Sequence, residues 1–149
     1  MLMKEIPLTQ GKVALVDDED YPQLSDIAWY CHRGYAVTSI FSRKTTVLMH
    51  RLILLPPEKL QVDHINHNKL DNRRANLRLA TQTQQNGNRL KFLGTSRFKG
   101  VSWRNRPKCW LVQCHQTYVG SFEDEIEAAK AYNAAALKYW GDFAHLNEF

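Results

Sequence analysis

The chain has 149 residues, 44% of them hydrophobic, and a formal net charge of +5. That length suits one ordinary domain or two small ones, and the apolar share is enough to pack cores, which excludes an intrinsically disordered chain. No apolar run approaches the ~20 residues that cross a bilayer, and the opening residues lack the apolar stretch of a secretory signal, so neither a membrane protein nor a secreted one is expected. Three cysteines, Cys31, Cys109 and Cys114, are odd in number and show no CxxC spacing. A disulfide framework or a four-cysteine zinc site is therefore not expected, and a reducing cytosol is the natural compartment.

In chain order, residues 12–16 form a short β-branched run, and residues 21–29 carry Leu24, Ile27 and Ala28 at helical spacing. The acidic cluster at residues 17–20 lacks the glycine and distal glutamate of a calcium loop, and reads as a solvated turn. Residues 34–40 and 45–49 are β-rich and read as a hairpin turning through residues 41–44. Pro56-Pro57 ends whatever residues 51–55 form. Residues 62–65 and 77–79 read as two strands, and Thr81-Gln82-Thr83-Gln84 has the form of a capping box that opens a short helix. Residues 90–97, with Gly94, Thr95 and Ser96 at the centre, read as a linker. Residues 100–105, 109–115 and 118–122 alternate polar and apolar and predict a three-stranded antiparallel meander. A helix then starts at Ser121 or a neighbour, with acidic residues in its first turn, and stops at Gly141.

Charge is unevenly spread. Residues 1–60 are neutral, residues 61–110 carry a net +9, and residues 111–149 a net −4. A block of +9 in fifty residues is the footprint of a polyanion partner.

Inside that block stand Gln61-Val62-Asp63-His64-Ile65-Asn66-His67 and Leu70-Asp71-Asn72-Arg73-Arg74-Ala75-Asn76-Leu77-Arg78-Leu79. Phosphodiester hydrolysis needs a group that accepts a proton from water near neutral pH, and histidine has the right pKa. It also needs positive charge at the phosphate, which a divalent ion held by hard oxygen ligands supplies. An acid beside a histidine at the end of a strand offers both. His67 reads as exposed, and His50 as packing beneath the site.

This stretch resembles the HNH nuclease family, and within it the branch found in phage and intron-encoded homing endonucleases. The resemblance is close over residues 49–89 and extends loosely to Ile6-Pro7-Leu8. It implies a β-hairpin and helix around one divalent metal ion, Mg²⁺ or Mn²⁺, with one ion per chain. By it, Asp63 is a metal ligand, His64 the general base, and Asn76 holds the hairpin connection through side-chain hydrogen bonds. The family places an asparagine ligand nine residues beyond the position of Asn76. Here that position is Gln85, with Asn86 next to it. Three readings follow: Asn86 ligates after a helix rotation of about 100°, the longer Gln85 reaches the ion, or the site is weakened or inactive. Asn88 reads as structural. Arg73, Arg74, Arg78 and Arg89 flank the site and are expected to position the DNA backbone.

The tail carries Phe98-Lys99-Gly100-Val101-Ser102-Trp103, Trp110, Gly120-Ser121-Phe122, Glu127-Ala128-Ala129-Lys130-Ala131-Tyr132 and Phe143-Ala144-His145-Leu146-Asn147. These resemble the Apetala-type domain of plant ethylene-response factors, which implies that one face of the sheet lies in the DNA major groove while the helix backs the other. On the open face the expected readers are Lys99, Trp103, Arg104, Arg106, Trp110 and Gln113, or alternate members of that set, by hydrogen bonding and by packing on sugars and thymine methyls. Trp140, on the apolar face of the helix, is expected in the core.

Together these readings give an α+β chain: residues 1–89 as a β-rich region with a ββα-metal HNH module (core 49–89), residues 90–97 as linker, and residues 98–149 as an Apetala-type domain, a three-stranded antiparallel sheet on one α-helix. The expected function is metal-dependent endonucleolytic cleavage of double-stranded DNA, by nicking, in a bacterial or phage-infected cytosol. No membrane and no obligate protein partner is expected. The alternative is a catalytically weak or inactive, sequence-specific DNA-binding protein.

Overall fold

The computed structural model describes residues 3–40, 45–91 and 93–149. The turn expected at residues 41–44, and one residue of the expected linker, lie outside them. The chain is α+β, built of small antiparallel sheets and short helices. Its contacts divide it into two compact units, Met1–Thr81 and Gln82–Phe149.

The first unit opens with a hairpin of β1 (Met3–Pro7) and β2 (Val13–Asp17), in which Ile6 pairs with Ala14. The sequence reading missed β1, because Ile6 is its one buried position and leaves no alternation to detect. Helix α1 covers only Tyr21–Leu24, shorter than the spacing over residues 21–29 predicts. Beyond it the chain folds back, and the Trp29 indole Nε1–H donates to the Leu24 carbonyl at 2.8 Å. That bond satisfies a carbonyl at the helix end and draws Trp29 into the core.

Strands β3 (Tyr30–His32), β4 (Tyr35–Ile40) and β5 (Thr45–Leu48) form a meander, followed by α2 (Met49–Leu54). Strand β3 was also missed, since three residues are too few to show a period. Helix α2 ends at Leu55, which adopts a left-handed backbone (φ 44) ahead of Pro56-Pro57. Strands β6 (Gln61–His64) and β7 (Leu77–Ala80) close the unit as an antiparallel pair, with Asp63 opposite Arg78 and His64 opposite Leu77. Ile6, Val16, Leu24, Trp29, Met49, Val62 and Leu77 share one core, which fixes β6 and β7 on the N-terminal hairpin and α2.

The second unit starts with α3 (Gln82–Asn88). Strands β8 (Val101–Asn105), β9 (Lys108–Cys114) and β10 (Thr117–Phe122) make the expected meander, with β9 central. Helix α4 (Glu125–Trp140) backs it. The N-cap is Asp124, whose carboxylate accepts from the Glu127 N–H at 2.8 Å, and not Ser121, which still pairs with Leu111 in the sheet. Capping by a carboxylate favours the helix start at Asp124, and the strand hydrogen bonds hold Ser121 back. Ala128, Ala129 and Ala136 are fully buried and let α4 approach Val101, Val112 and Cys114 closely, with Tyr132 and Trp140 filling the remaining space. The buried Trp140 agrees with its expected place in the core.

Among the described residues, no helix is long and apolar enough to cross a membrane.

Candidate active site

Asp63 and His64 end β6, and the twelve residues from Ile65 to Asn76 connect them to β7. Such a connection holds its shape only where its polar groups find partners, and here asparagines and one aspartate supply them. Asn76 Oδ1 accepts from the Asn66 N–H at 2.9 Å, and Asn76 Nδ2 donates to the Asp71 carbonyl at 2.8 Å. Asp71 accepts from Asn66 Nδ2 and, bidentately, from Arg73 through two bonds of 2.7 Å. The Arg73 guanidinium bond is the main cause that holds the Asp71 carboxyl below its ordinary pKa. Backbone bonds from Leu15 to Leu70 and from Asn72 to Leu15, both 2.8 Å, moor the connection to β2.

The acidic cluster at residues 17–20 is not merely a solvated turn. Asp17 and Asp20 are buried. Asp17 accepts from the Arg74 backbone N–H at 2.7 Å, and Asp20 takes the Arg74 guanidinium bidentately at 2.9 and 2.7 Å. The cluster is therefore a receptor for Arg74, a role that residues 54 positions apart give no local sign of.

His64 is buried at the centre of an aromatic group. Its ring lies 5.0 Å from that of His50, edge to face, and 6.0 Å from Tyr35. His50 is itself buried, 5.4 Å from Tyr35. Lys69 Nζ sits 4.4 Å over the Tyr35 ring. Burial above all lowers the His64 pKa; the Asn72 hydrogen bond and the Asp63 and Asp71 charges oppose it without reversing it. Burial likewise pulls His50 down to about 3, helped by the His64 and Arg51 charges. Both imidazoles are neutral near pH 7.

His64 Nε2 faces Asn72 Oδ1 at 3.4 Å. Asn72 Nδ2 donates to the Leu70 carbonyl, which fixes the amide so that its oxygen is turned to the imidazole. In that orientation the amide oxygen can accept from Nε2–H of the neutral ring. Asp63 lies in a largely buried ion pair with Arg78: Nε and a terminal nitrogen of the guanidinium both meet Oδ2 at 3.0 Å.

Three flanking arginines expected at the DNA backbone are thus each held by a carboxylate, Arg73 by Asp71, Arg74 by Asp20 and Arg78 by Asp63. His67 is half-buried with a left-handed backbone (φ 64), where exposure was expected. Tyr35, Lys69, Asp71 and Asn72 were not assigned roles from the sequence. Asp71 and Asn72 stood inside the motif, and the density of polar residues there was the available signal. Tyr35 had none, because it reaches His64 only through the fold.

In the second unit, Asn86 Oδ1 accepts from Gln82 Nε2 at 3.3 Å, and Asn86 lines a cavity with Arg89 and Lys99. Asn88 is buried and Gln85 half-buried on the same helix. Strand alternation separates the expected DNA readers. Trp103 and Trp110 are register partners with rings 4.9 Å apart, and Trp110 packs on the core beneath α4. They belong to the helix-backed face. Ser102, Leu111 and Ser121 align across the open face, which also carries Arg104 and Gln113. Arg106 is exposed in the turn between β8 and β9. Lys99 is half-buried, and its Nζ donates to the Gly87 carbonyl.

Residues 55–87 match a family model described as HNH endonuclease. An uncharacterized HNH endonuclease of Acanthamoeba polyphaga mimivirus is 31% identical over 147 residues, a match spanning 93% of this chain and 76% of that protein. The AP2-like ethylene-responsive transcription factor ANT of Arabidopsis thaliana is 38% identical over 55 residues, which are 36% of this chain and 10% of that protein. Another AP2-like ethylene-responsive transcription factor of the same plant is 53% identical over 32 residues, 22% of this chain and 8% of its own. No solved structure matches the chain. Since the viral relative runs through both units and the family model covers the hairpin that carries Asp63 and His64, the chain belongs to the HNH endonuclease family.

Proposed function

We propose that the protein hydrolyses phosphodiester bonds of duplex DNA with His64 as general base and a single divalent cation held at Asp63, leaving a nick. The observation that carries this reading is the state of His64: a buried, neutral imidazole next to Asp63 at the end of β6, able to take a proton from water near neutral pH, with its Nε2 facing the Asn72 amide oxygen. Tyr35 and His50 hold the ring from two other sides. Asn76 and Asp71 keep the connection rigid behind it.

The donor chemistry fits a hard cation. Among the described residues no group of three or more His, Cys, Asp and Glu side chains forms a closed metal cage. A centre with one carboxylate, amide oxygen, water and phosphate oxygens is the kind that Mg²⁺ accepts, since it keeps several waters. When bound, the ion supplies positive charge for the developing phosphorane and the leaving 3′ oxygen. Asn86, one of the two α3 candidates, is engaged by Gln82 and shares its cavity with Arg89 and Lys99, whose charges repel a divalent cation. One centre per chain cuts one strand, which makes a nick the product.

The second unit grips the duplex in this proposal, with Arg104 and Gln113 on the open sheet face and Arg106 at its edge. The partial similarity to the AP2-like factors supports it.

The test is relaxation of supercoiled plasmid with Mg²⁺ or Mn²⁺. Nicked circles form with the wild type, EDTA stops the reaction, and His64→Ala slows it by about 10²-fold or more. Full activity of His64→Ala would remove the mechanism. Gln85→Ala losing activity that Asn86→Ala keeps assigns the ligand. A second reading, DNA binding without catalysis, is favoured by the Arg78–Asp63 pair, which neutralises the carboxylate. It predicts duplex binding with no metal-dependent scission in the same assay.

A further inference from the structure

The second unit encloses a cavity of about 370 Å³ that neither the open sheet face nor the proposed catalytic centre uses. Its floor is made by the buried rings of Tyr132 and Trp140. Its polar lining is Asn86, Arg89, Lys99, His115 and Gln116, with the backbone of Gln113 beside Gly100, and no carboxylate belongs to it. Arg89, Gln113, His115 and Gln116 are exposed, so the cavity opens to solvent along one side.

The lining has the chemistry of an anion receptor. It offers a guanidinium, an ammonium and the side-chain amides of Asn86 and Gln116, all able to donate hydrogen bonds. The Lys99 ammonium is half-buried, with Nζ 5.6 Å from the Trp140 centroid and 5.9 Å from that of Tyr132. It donates to the Gly87 carbonyl at 2.6 Å, which leaves further N–H donors on the same nitrogen. Burial above all draws its pKa down to about 8; Cys114 opposes that, and the Arg89 charge adds to it. Two cations kept near each other over an apolar floor repel, and an anion between them relieves the repulsion and gains from the low dielectric. The arginines of the first unit differ in kind. Arg73, Arg74 and Arg78 must give up a carboxylate before they can meet a phosphate, whereas Arg89 and Lys99 form no ion pair with a carboxylate among the described residues.

We infer that this cavity binds a phosphodiester group of the nucleic-acid backbone, with Arg89 and Lys99 as counter-ions and the Asn86 and Gln116 amides as neutral donors. The inference rests on the DNA-binding reading for the source of the phosphate and is independent of the chemistry at His64. Because a phosphate contact carries no base information, the pocket sets where the second unit sits on the duplex and leaves sequence reading to the open face.

The test uses the full chain in EDTA, so that no strand is cut. Two-dimensional amide NMR is recorded while inorganic phosphate, dimethyl phosphate or a short DNA duplex is added. All three are expected to move the Gln113 and Gln116 signals and the Trp140 indole signal, and Arg89→Gln is expected to abolish the shifts with the two small anions. The same variant weakens the duplex by about tenfold at low salt and lowers the slope of log affinity against log salt by about one. Arg89 is exposed, so its replacement leaves the fold intact even where Lys99→Met does not. Shifts with inorganic phosphate alone make the cavity a small-anion site and overturn the phosphodiester assignment. An unchanged salt slope in Arg89→Gln overturns it as well. If the wild type takes dimethyl phosphate and binds no duplex, the DNA-binding reading fails separately, and the backbone assignment falls with it.

Discussion

The imidazoles of His50 and His64 meet edge to face, with centroids 5.0 Å apart and planes at 89°. Helix α2 brings the first and strand β6 the second, and both rings are buried against Tyr35. Two imidazolium ions at that separation would repel strongly, so the packing itself selects neutral rings. A general base must be neutral to act, so in the role proposed for His64 the contact that orients the ring also keeps it able to take a proton.

Neutral burial makes the first unit sensitive to acid. The His50 pKa is about 3 when folded against 6.5 as its ordinary value, so the unfolded chain binds more protons between those limits. Its contribution to stability is full above the unfolded pKa and is lost as the pH falls through the window below 6.5. At about pH 5 the loss from His50 alone is about 2 kcal/mol. Urea unfolding of wild type and His50→Gln near neutrality and at about pH 5 measures it. The variant is expected to lose less on acidification, and equal losses in the two proteins would rule out His50 as the source.

Asn76 ties Asn66 to Asp71 through both ends of its amide. Asn76→Ala leaves a backbone N–H and a carbonyl in that connection without their partner, at a cost of about 1–3 kcal/mol. Asn76→Asp keeps the acceptor and loses the donor, so it falls between the two. Chemical unfolding followed by tryptophan fluorescence ranks the three, and a stability of Asn76→Ala equal to wild type would contradict the bonding described here.

The two faces of the C-terminal sheet predict opposite defects. Arg104→Ala on the open face is expected to weaken duplex binding by about 1–3 kcal/mol if it meets a base, with an unchanged melting temperature. Trp110→Ala, beneath α4, is expected to destabilise the unit by about 3–5 kcal/mol. Binding titrations set beside thermal melts distinguish them, and a stable Trp110→Ala with impaired binding would place that ring on the DNA side.

Gly87 is the point at which α3 meets the rest of the second unit. A Cβ there would come within 2.6 Å of the Trp140 ring, and the Gly87 carbonyl accepts from Lys99 Nζ and from the His145 N–H. Gly87→Ala is expected to cost about 1–3 kcal/mol through overpacking, although alanine favours a helix. Hydrogen exchange of the α3 amides reads the effect directly: faster exchange confined to that helix supports it, and unchanged exchange opposes it.

Local chemistry made a good part of the protein legible. The order of strand, connection, strand and helix along residues 61–88 follows from the spacing of the chain, and the meander with its helix follows from a change of period from two to 3.6. Strands β1 and β3 were illegible because one buried residue, or three residues in all, carry no period. The face of Trp103 and Trp110 was illegible for a different reason. Alternation says which residues share a side, and only the position of α4 says which side is buried.

By itself the sequence determined the adjacency of Asp63 and His64, the order of the elements from β6 onward and the family resemblance, since these depend on covalent neighbours and on backbone geometry within a few residues. Only the tertiary structure decided the partners of the long charged side chains: Arg74 on Asp20, Arg78 on Asp63, and Lys99 beside Arg89. An arginine reaches several carboxylates equally well in the unfolded chain. Which one it keeps is fixed by the packing of cores that bring distant strands and helices together.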